Sequence, residues 1–240
     1  MLVPYLGEKS RLSNFIVPHI PTNIKTYVEP FGGAYGIFFS LKFNNFLNTK
    51  FIYNDLNHLN YNLFNQLRFN SDFINQIKYI KVDKNYYLDC LSDLDNSDLF
   101  ISAKNWLITL CSSKMNKIGE DSWCGDSEFE IFKLKFKAYK YLIDKIESIL
   151  NLDYKDVFDI YDSPDTFFYL DPPYKGKESY YINHDFCDKS HLELKMRLDK
   201  LSGRFLLSYW HFDGLEDLYS GYKIEKKKTF LGTEYLIKNY

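Results

Sequence analysis

Two patterns of hydrophobic and polar positions interleave along this chain. Thr26-Tyr27-Val28, Phe51-Ile52-Tyr53 and Phe167-Phe168-Tyr169-Leu170 are short runs of β-branched and aromatic residues, the composition of strands. From residue 26 to 56, and again from about 147 to 240, such runs alternate with helical segments, the order of a doubly wound α/β sheet. Residues 57 to 146 instead place apolar side chains at three- and four-residue spacing: Leu59, Leu63 and Leu67, then Phe129, Phe132, Phe136, Tyr139, Ile143 and Ile146. That stripe predicts helices packed on a core. No repeat or low-complexity linker separates the two parts. The expectation is a sheet domain made of 1–56 and 147–240, with 57–146 inserted as a helical subdomain that packs against it across a cleft.

Length permits this, since 240 residues with 45% hydrophobic content can bury one substantial core and a smaller insert. Cys90, Cys111, Cys124 and Cys187 have neither the close pairing of a zinc site nor an evident disulfide framework, and the N-terminus has no signal-peptide segment. A cytoplasmic, reduced, metal-free protein is expected, and the apolar stretches are too short to span a bilayer. The net charge of −2 argues mildly against a nucleic-acid partner. Its distribution argues the other way. Residues 222–240 hold five lysines, including Lys226, Lys227 and Lys228, against two glutamates; Lys133, Lys135, Lys137 and Lys140 form a second basic cluster. Lys175 and Lys177 make a third candidate for phosphate contact, beside the segment that carries the chemistry.

That segment is Asp171-Pro172-Pro173-Tyr174, directly after the Phe167–Leu170 strand. Proline neither donates to a sheet ladder nor continues a helix, so Asp171 sits where a buried strand stops. The fixed φ of the Pro-Pro unit aims the Pro172 carbonyl beside the Asp171 carboxylate, and two acceptors then converge on one point. An exocyclic amine has two protons to donate and a lone pair delocalised into its ring. Accepting both protons returns density to nitrogen and makes a poor nucleophile usable. Tyr174 adds a face on which a base can stack. The same residues also suit an ordinary strand and turn.

A second cluster points to the ligand on the other side of such a reaction. Glu29-Pro30-Phe31-Gly32-Gly33-Ala34-Tyr35-Gly36 follows a strand and precedes apolar Ile37, Phe38, Phe39 and Leu41, which predicts strand, glycine turn and helix. The spacing is not the dinucleotide fingerprint, and no phosphate-loop Lys-Ser/Thr is present. Asp55 closes the next strand, where sheets of this kind grip ribose hydroxyls. Together these suggest an adenosine-containing ligand. Glu29, Asp55, Asp153 and Asp171 all fall at predicted strand ends, an acidity that suits a sulfonium, an ammonium and hydroxyls but not a phosphate.

With these residues in place, the chain resembles the Dam-type family of DNA adenine-N6 methyltransferases, its phage members most of all, nearly end to end. Tyr5-Leu6-Gly7-Glu8-Lys9 is similar to the family's opening aromatic-x-Gly-x-Lys segment, 29–36 to its glycine-rich loop, Asp55 to its ribose-binding acid, Asp153-Tyr154 to its Asp-Phe pair at the cofactor's adenine, and 171–174 to its catalytic tetrapeptide. The resemblance implies a Rossmann-like methyltransferase sheet with an antiparallel edge hairpin, supplied by 222–225 and 235–237 with Lys226–Gly232 as the connection. It implies S-adenosyl-L-methionine as cofactor, held by Tyr5, Gly7, Lys9, Glu29, Pro30, Phe31, Gly32, Gly33, Asp55, Asp153, Tyr154 and Asp171. It implies catalysis by Asp171, Pro172, Pro173 and Tyr174 on a flipped adenine of double-stranded DNA. Lys114, Asn116, Lys117 and Trp123 match the remnants of the DNA-reading loop, with Lys175 and Lys177 as further DNA contacts.

Three departures stand out: Glu8 where relatives carry a small residue, Tyr154 where Phe is commoner, and a shortened loop between about Ser112 and Ser127. The tetrapeptide reads an amine rather than a whole base, so cytosine N4 and adenine in RNA stay open as targets. The short insert and negative charge also keep open a DNA-binding protein without turnover. A free-standing phage methylase and the partner of a companion restriction endonuclease would have the same sequence features.

Overall fold

The computed structural model describes residues 2–5, 7, 9–114, 117–176, 186–230 and 232–240. A seven-stranded sheet runs through it: β1 (Thr26–Glu29), β2 (Lys50–Asn54), β3 (Ile146–Leu150), β4 (Thr166–Leu170), β5 (Arg204–Trp210), β6 (Lys223–Thr229) and β7 (Gly232–Lys238). Their order is β3-β2-β1-β4-β5-β7-β6. β1 to β5 pair in parallel; β7 runs antiparallel to β5, and β6 antiparallel to β7. The strand order reverses between β1 and β4. Such a switch point leaves a crevice at the carboxyl ends of the strands, where open α/β sheets bind ligands.

The two faces of the sheet are sorted by alternation along each strand. Tyr27, Phe51, Tyr53, Phe167, Tyr169, Leu206 and Leu236 join one apolar core, and Val28, Ile52, Phe168, Leu170, Phe205, Leu207 and Ile237 join the other. Both faces are covered, which is why β4 is buried throughout. The second face is covered by α7 (Tyr154–Tyr161), α8 (Asp188–Leu198) and α9 (Leu215–Leu218). On the first lie α1 (Ser13–Ile16) and the helices between β2 and β3: α2 (His58–Phe69), α3 (Phe73–Ile77), α4 (Lys84–Ser92), α5 (Leu99–Ser112) and α6 (Ser127–Ile143). Leu59, Leu63 and Leu67 of α2, Trp106 of α5 and Phe129, Phe132 and Phe136 of α6 are buried in one cluster continuous with the sheet face. Asn57, Asp83 and Asp98 cap α2, α4 and α5 by accepting first-turn amides.

Three elements differ from the sequence reading. No α-helix follows the glycine turn; Phe38–Ser40 makes a single 3₁₀ turn, and Leu41 is already extended. Tyr35, at φ 56°, folds the chain back before a helix can start, and its ring stacks on Phe38 with centroids 4.2 Å apart. Ile146 opens β3 rather than ending the α6 stripe, because its buried position in the strand falls by chance on the helical spacing. Lys226, Lys227 and Lys228 belong to β6, not to a connecting loop, since Thr229 already pairs with Gly232. Lysines along an exposed edge strand discourage pairing with other chains.

Candidate methyl-transfer site

The carboxyl edge of the sheet opens on a cavity of about 810 Å³, within the range of pockets that hold small ligands. All twelve residues expected to hold a cofactor line it: Tyr5, Gly7, Lys9, Glu29, Pro30, Phe31, Gly32, Gly33, Asp55, Asp153, Tyr154 and Asp171. They come from five separate segments that the switch point gathers.

The glycine turn is shaped by its neighbours in the protein. A Cβ on Gly32 would lie 2.4 Å from the Tyr53 ring and 2.8 Å from the Asn54 carbonyl, so only glycine lets the turn lie against β2. Gly33 adopts φ 48° and donates its amide to Asp55 Oδ2 at 2.7 Å. Asp55 Oδ1 accepts from the Asn57 amide at 2.8 Å, and Asn60 reaches Oδ2 at 3.2 Å. Glu29 is buried and takes two donors on Oε1, the Tyr27 hydroxyl at 2.6 Å and the Phe38 amide at 3.0 Å. Burial still pushes its carboxyl well above the usual range. Asp153 lies three residues beyond β3 and caps α7 by accepting from the Lys155 amide at 2.9 Å. These acids therefore fix the walls of the cavity as well as lining it.

The other end is built from side chains distant in sequence. Lys9 places its ammonium 2.9 Å from Asp171 Oδ1, 2.9 Å from the Gly7 carbonyl and 4.5 Å from the centre of the Tyr174 ring. Ser208 of β5 lies 3.1 Å from the same Asp171 oxygen and 3.0 Å from the Tyr169 hydroxyl. A serine has one proton to give; both contacts are met when Tyr169 donates to Ser208 and Ser208 to Asp171. Among the described residues both close contacts of Asp171 fall on Oδ1. Pro172 is buried and Pro173 lines the cavity, while Tyr174 is buried against Tyr209 and Trp210. Tyr174 donates its hydroxyl to Glu234 Oε1 at 2.7 Å.

The donor set fits S-adenosyl-L-methionine. Phe31, Tyr154 and Phe186 form an aromatic wall with ring centroids 5.2 to 6.2 Å apart, suited to a flat heterocycle. The Tyr154 hydroxyl is buried without a hydrogen-bond partner among the described residues, and a buried orphan of this kind needs one. Lys9 and Lys155, the lysines in the lining, each already face acids: Asp171 for the first, Asp153 and Glu193 at 3.5 Å for the second. A cationic, hydroxyl-bearing ligand suits such a wall better than a phosphate.

Sequence reasoning missed Phe186, Ser208 and Glu234. Phe186 precedes α8 with no local sign of its place. Ser208 and Glu234 each occupy an inward position on a strand, the one signal that a polar residue there has a partner in the interior. The residues expected to touch DNA are dispersed. Lys114 and Lys117 are exposed, Trp123 is half-buried with its ring 5.4 Å from Tyr87, and Lys175 pairs with Asp188 at 3.3 Å. Asn116 and Lys177 lie outside the described residues. In the second basic cluster Lys133 and Lys140 are bound to Glu130 and Asp144 on their own helix and at its end.

No curated protein matches this chain. Among solved structures it is similar to that of the mitomycin 7-O-methyltransferase MmcR, at 10% identity and a TM-score of 0.42, over 96% of this chain and 53% of that one. The chain thus spans about half the length of that structure. A family model matches residues 5–232, all but the ends of the chain and all of the cavity lining: the chain belongs to the D12 class N6 adenine-specific DNA methyltransferases.

Proposed function

We propose that this chain methylates N6 of adenine in double-stranded DNA, using S-adenosyl-L-methionine, by direct in-line displacement on a base turned out of its helix. The observation that carries the reading is Asp171: an acid at the end of β4 that lines the cavity across the switch point from Glu29 and Asp55, with its close contacts among the described residues both on Oδ1. When bound, the cofactor supplies a methyl carbon whose bond to sulfur breaks as its bond to nitrogen forms. Tyr5, Gly32, Gly33 and Asp55 would hold its nucleoside, with Asp153 and Tyr154 at the adenine and Gly7, Lys9 and Glu29 toward the amino-acid end.

Asp171 and the Pro172 carbonyl accept from the two amine protons, which localises the lone pair on nitrogen. The amine becomes acidic only as transfer proceeds, so its proton leaves late, to Asp171 or to water. Lys9 now holds one oxygen of that acid, and its ammonium lies over the ring on which the base would stack. Entry of the base therefore requires Lys9 to shift. In this reading 57–146 reads the target, with Lys114, Asn116, Lys117 and Trp123 in its loop, while Lys175 and Lys177 meet the backbone. The setting is the cytoplasm, with or without a companion restriction endonuclease.

The test is transfer of labelled methyl groups from S-adenosyl-L-methionine to unmethylated DNA, followed by digestion to nucleosides and identification by mass. N6-methyladenosine as the deoxynucleoside is expected. N4-methylcytosine, label only in RNA, or cofactor and DNA binding without transfer would each replace the proposal with one of the other readings.

A further inference from the structure

Glu234 is a buried carboxyl that the reaction so far leaves unused. In β7 it stands opposite Trp210 of β5 and Lys227 of β6, at the carboxyl edge of the sheet. It is fully buried; Oε1 accepts the Tyr174 hydroxyl, and Oε2 has no hydrogen-bond partner among the described residues. A buried carboxyl with one oxygen outside hydrogen-bond geometry, only the Trp210 indole across the strand pair being near enough to draw on it, is costly, and an apolar pair of the same volume would pack better. Its retention here needs a reason, and the position supplies one. The charged and titratable groups around it are Tyr174 and Asp171 from the segment after β4, Tyr169 of β4, Lys9 from the N-terminal segment and Lys227 across the strand pair. Apart from Lys227, these are the groups of the amine site itself.

Resting on the methylation reading, we infer that Glu234 is a positioning residue for methyl transfer: as a carboxylate it draws the Tyr174 O–H, which fixes the plane of the ring and enriches its face in electron density. A hydrogen bond to an ionised acceptor is markedly stronger than one to a neutral acceptor. An electron-rich ring face attracts cations. The ring already shows this property, since the Lys9 ammonium sits 4.5 Å from its centre. When the target nitrogen gains its fourth bond it carries positive charge in the same place, and the ring that stacks the base also steadies that charge. Burial, with the nearby Asp171, lifts the Glu234 carboxyl to about 7, against the pull of Lys9, of the Tyr174 hydroxyl and of the Trp210 indole. The charged acceptor is therefore present above neutrality and lost as pH falls through about 7.

The experiment compares wild type, Glu234→Gln, Tyr174→Phe and the double variant, using labelled S-adenosyl-L-methionine and unmethylated plasmid DNA across pH 5.5 to 9, roughly the span over which such a group titrates. Wild-type kcat is expected to fall as pH drops through about 7. Glu234→Gln, which keeps shape and an acceptor but no charge, should lower kcat about tenfold at the alkaline end, leave KM for the cofactor unchanged and abolish that fall. Tyr174→Phe should lose a similar factor, and the double variant should add nothing, because the two groups act through one bond. Wild-type kcat in Glu234→Gln, an acid limb that persists in it, or losses that multiply in the double variant would each overturn the inference. A second reading needs no turnover: the ¹³C carboxyl resonance of Glu234, assigned by its absence in Glu234→Gln, should titrate at higher pH in Tyr174→Phe, where a donor to the carboxylate is gone. An unmoved titration removes the contact and the inference with it. If wild type transfers no methyl group to DNA, the methylation reading falls and this inference with it; active wild type beside an unimpaired Glu234→Gln overturns the inference alone.

Discussion

The two ends of the cavity hold their acids in opposite ways. At the glycine-turn end, Asp55 is held by the backbone amides of Gly33 and Asn57, and Glu29 by the Phe38 amide and its strand neighbour Tyr27. Backbone donors belong to rigid elements and cannot rotate away. At the Pro-Pro end, Asp171 is met by Lys9 and Ser208 and Glu234 by Tyr174, side chains that can exchange one partner for another. The first end is a mould fixed by the protein's own backbone donors. The second holds stand-ins, and Lys9 is the plainest: a cation on the acceptor and over the ring that a target amine would need. On the proposed reading, a wall held by backbone for the cofactor and exchangeable side-chain contacts for the target base suit a reaction that joins a free cofactor to a base drawn from a polymer.

Asp171→Ala breaks the second end and should have the largest effect. Turnover is expected to fall about 10²–10³-fold, the scale of losing a group that meets charge in the transition state. Cofactor binding by calorimetry should stay measurable, because the glycine-turn wall does not depend on Asp171. Turnover near wild type would end the assignment of this residue. Gly32→Ala breaks the first end instead. Its methyl would meet Tyr53 at 2.4 Å and the Asn54 carbonyl at 2.8 Å, and the latter is backbone that cannot turn aside. Overpacking of this kind costs about 1–3 kcal/mol, read as a lower Tm together with weaker cofactor binding. An unchanged melt would show that β2 yields and the mould is softer than its contacts imply.

Glu234→Gln also separates the ends by stability. With its carboxyl lifted to about 7 from an unfolded value near 4.5, the folded state keeps a proton that the unfolded chain has already released. Stability then declines as pH rises from about 4.5 to about 7 and stays lowered above it. The glutamine variant has no such decline, so its Tm at pH 8 should exceed that of wild type by a few degrees and the gap should narrow toward pH 5. A gap of equal size at both pH values would show that the carboxyl is not taxed by burial. A stabler yet slower enzyme is the trade expected of a site residue. Asp55→Asn probes the mould more gently. Asparagine keeps the shape but weakens the hold on the Gly33 amide, and the cofactor Kd should rise about tenfold with kcat at saturating cofactor little changed. A fall in kcat alone would place Asp55 with the chemistry instead.

The mould was legible in the sequence and the exchangeable end was half legible, for one physical reason. Glu29, the glycines and Asp55 lie within 27 positions, in the order strand, turn, strand, and the contacts that define them are local. β4 reads plainly because both of its faces are covered. β3 does not, since Glu147 and Ser148 interrupt an edge strand whose first residue falls in step with the α6 stripe. At the Pro-Pro end the tetrapeptide is visible, but its partners are not. Tyr174 and Glu234 are 60 residues apart, and Asp171 and Ser208 are 37 apart. Pairings at that range are set by the sheet order β4-β5-β7, which no local pattern encodes. Only parity gave a hint: Glu234 shares the face of Leu236, a buried position, and a charge there asks for a partner.

Lys175 tests whether exchangeability extends to the DNA. It sits directly after the tetrapeptide, 3.3 Å from Asp188 and over the Phe212 ring at 5.5 Å. A lysine that is free for phosphate would contribute about 0.9 to the slope of log affinity against log salt. Lys175 must first leave an exposed acid, and such pairs are worth well under about 1 kcal/mol, so the exchange costs little. Lys175→Ala should therefore reduce the slope by somewhat less than 0.9, about equally for every DNA sequence, with kcat at saturating DNA unchanged. Lys114→Ala and Lys117→Ala, exposed lysines of the shortened loop, give the comparison. If their removal alters the slope and that of Lys175 does not, the stand-in contacts end at Asp171, and the phosphates are met by the helical insert alone.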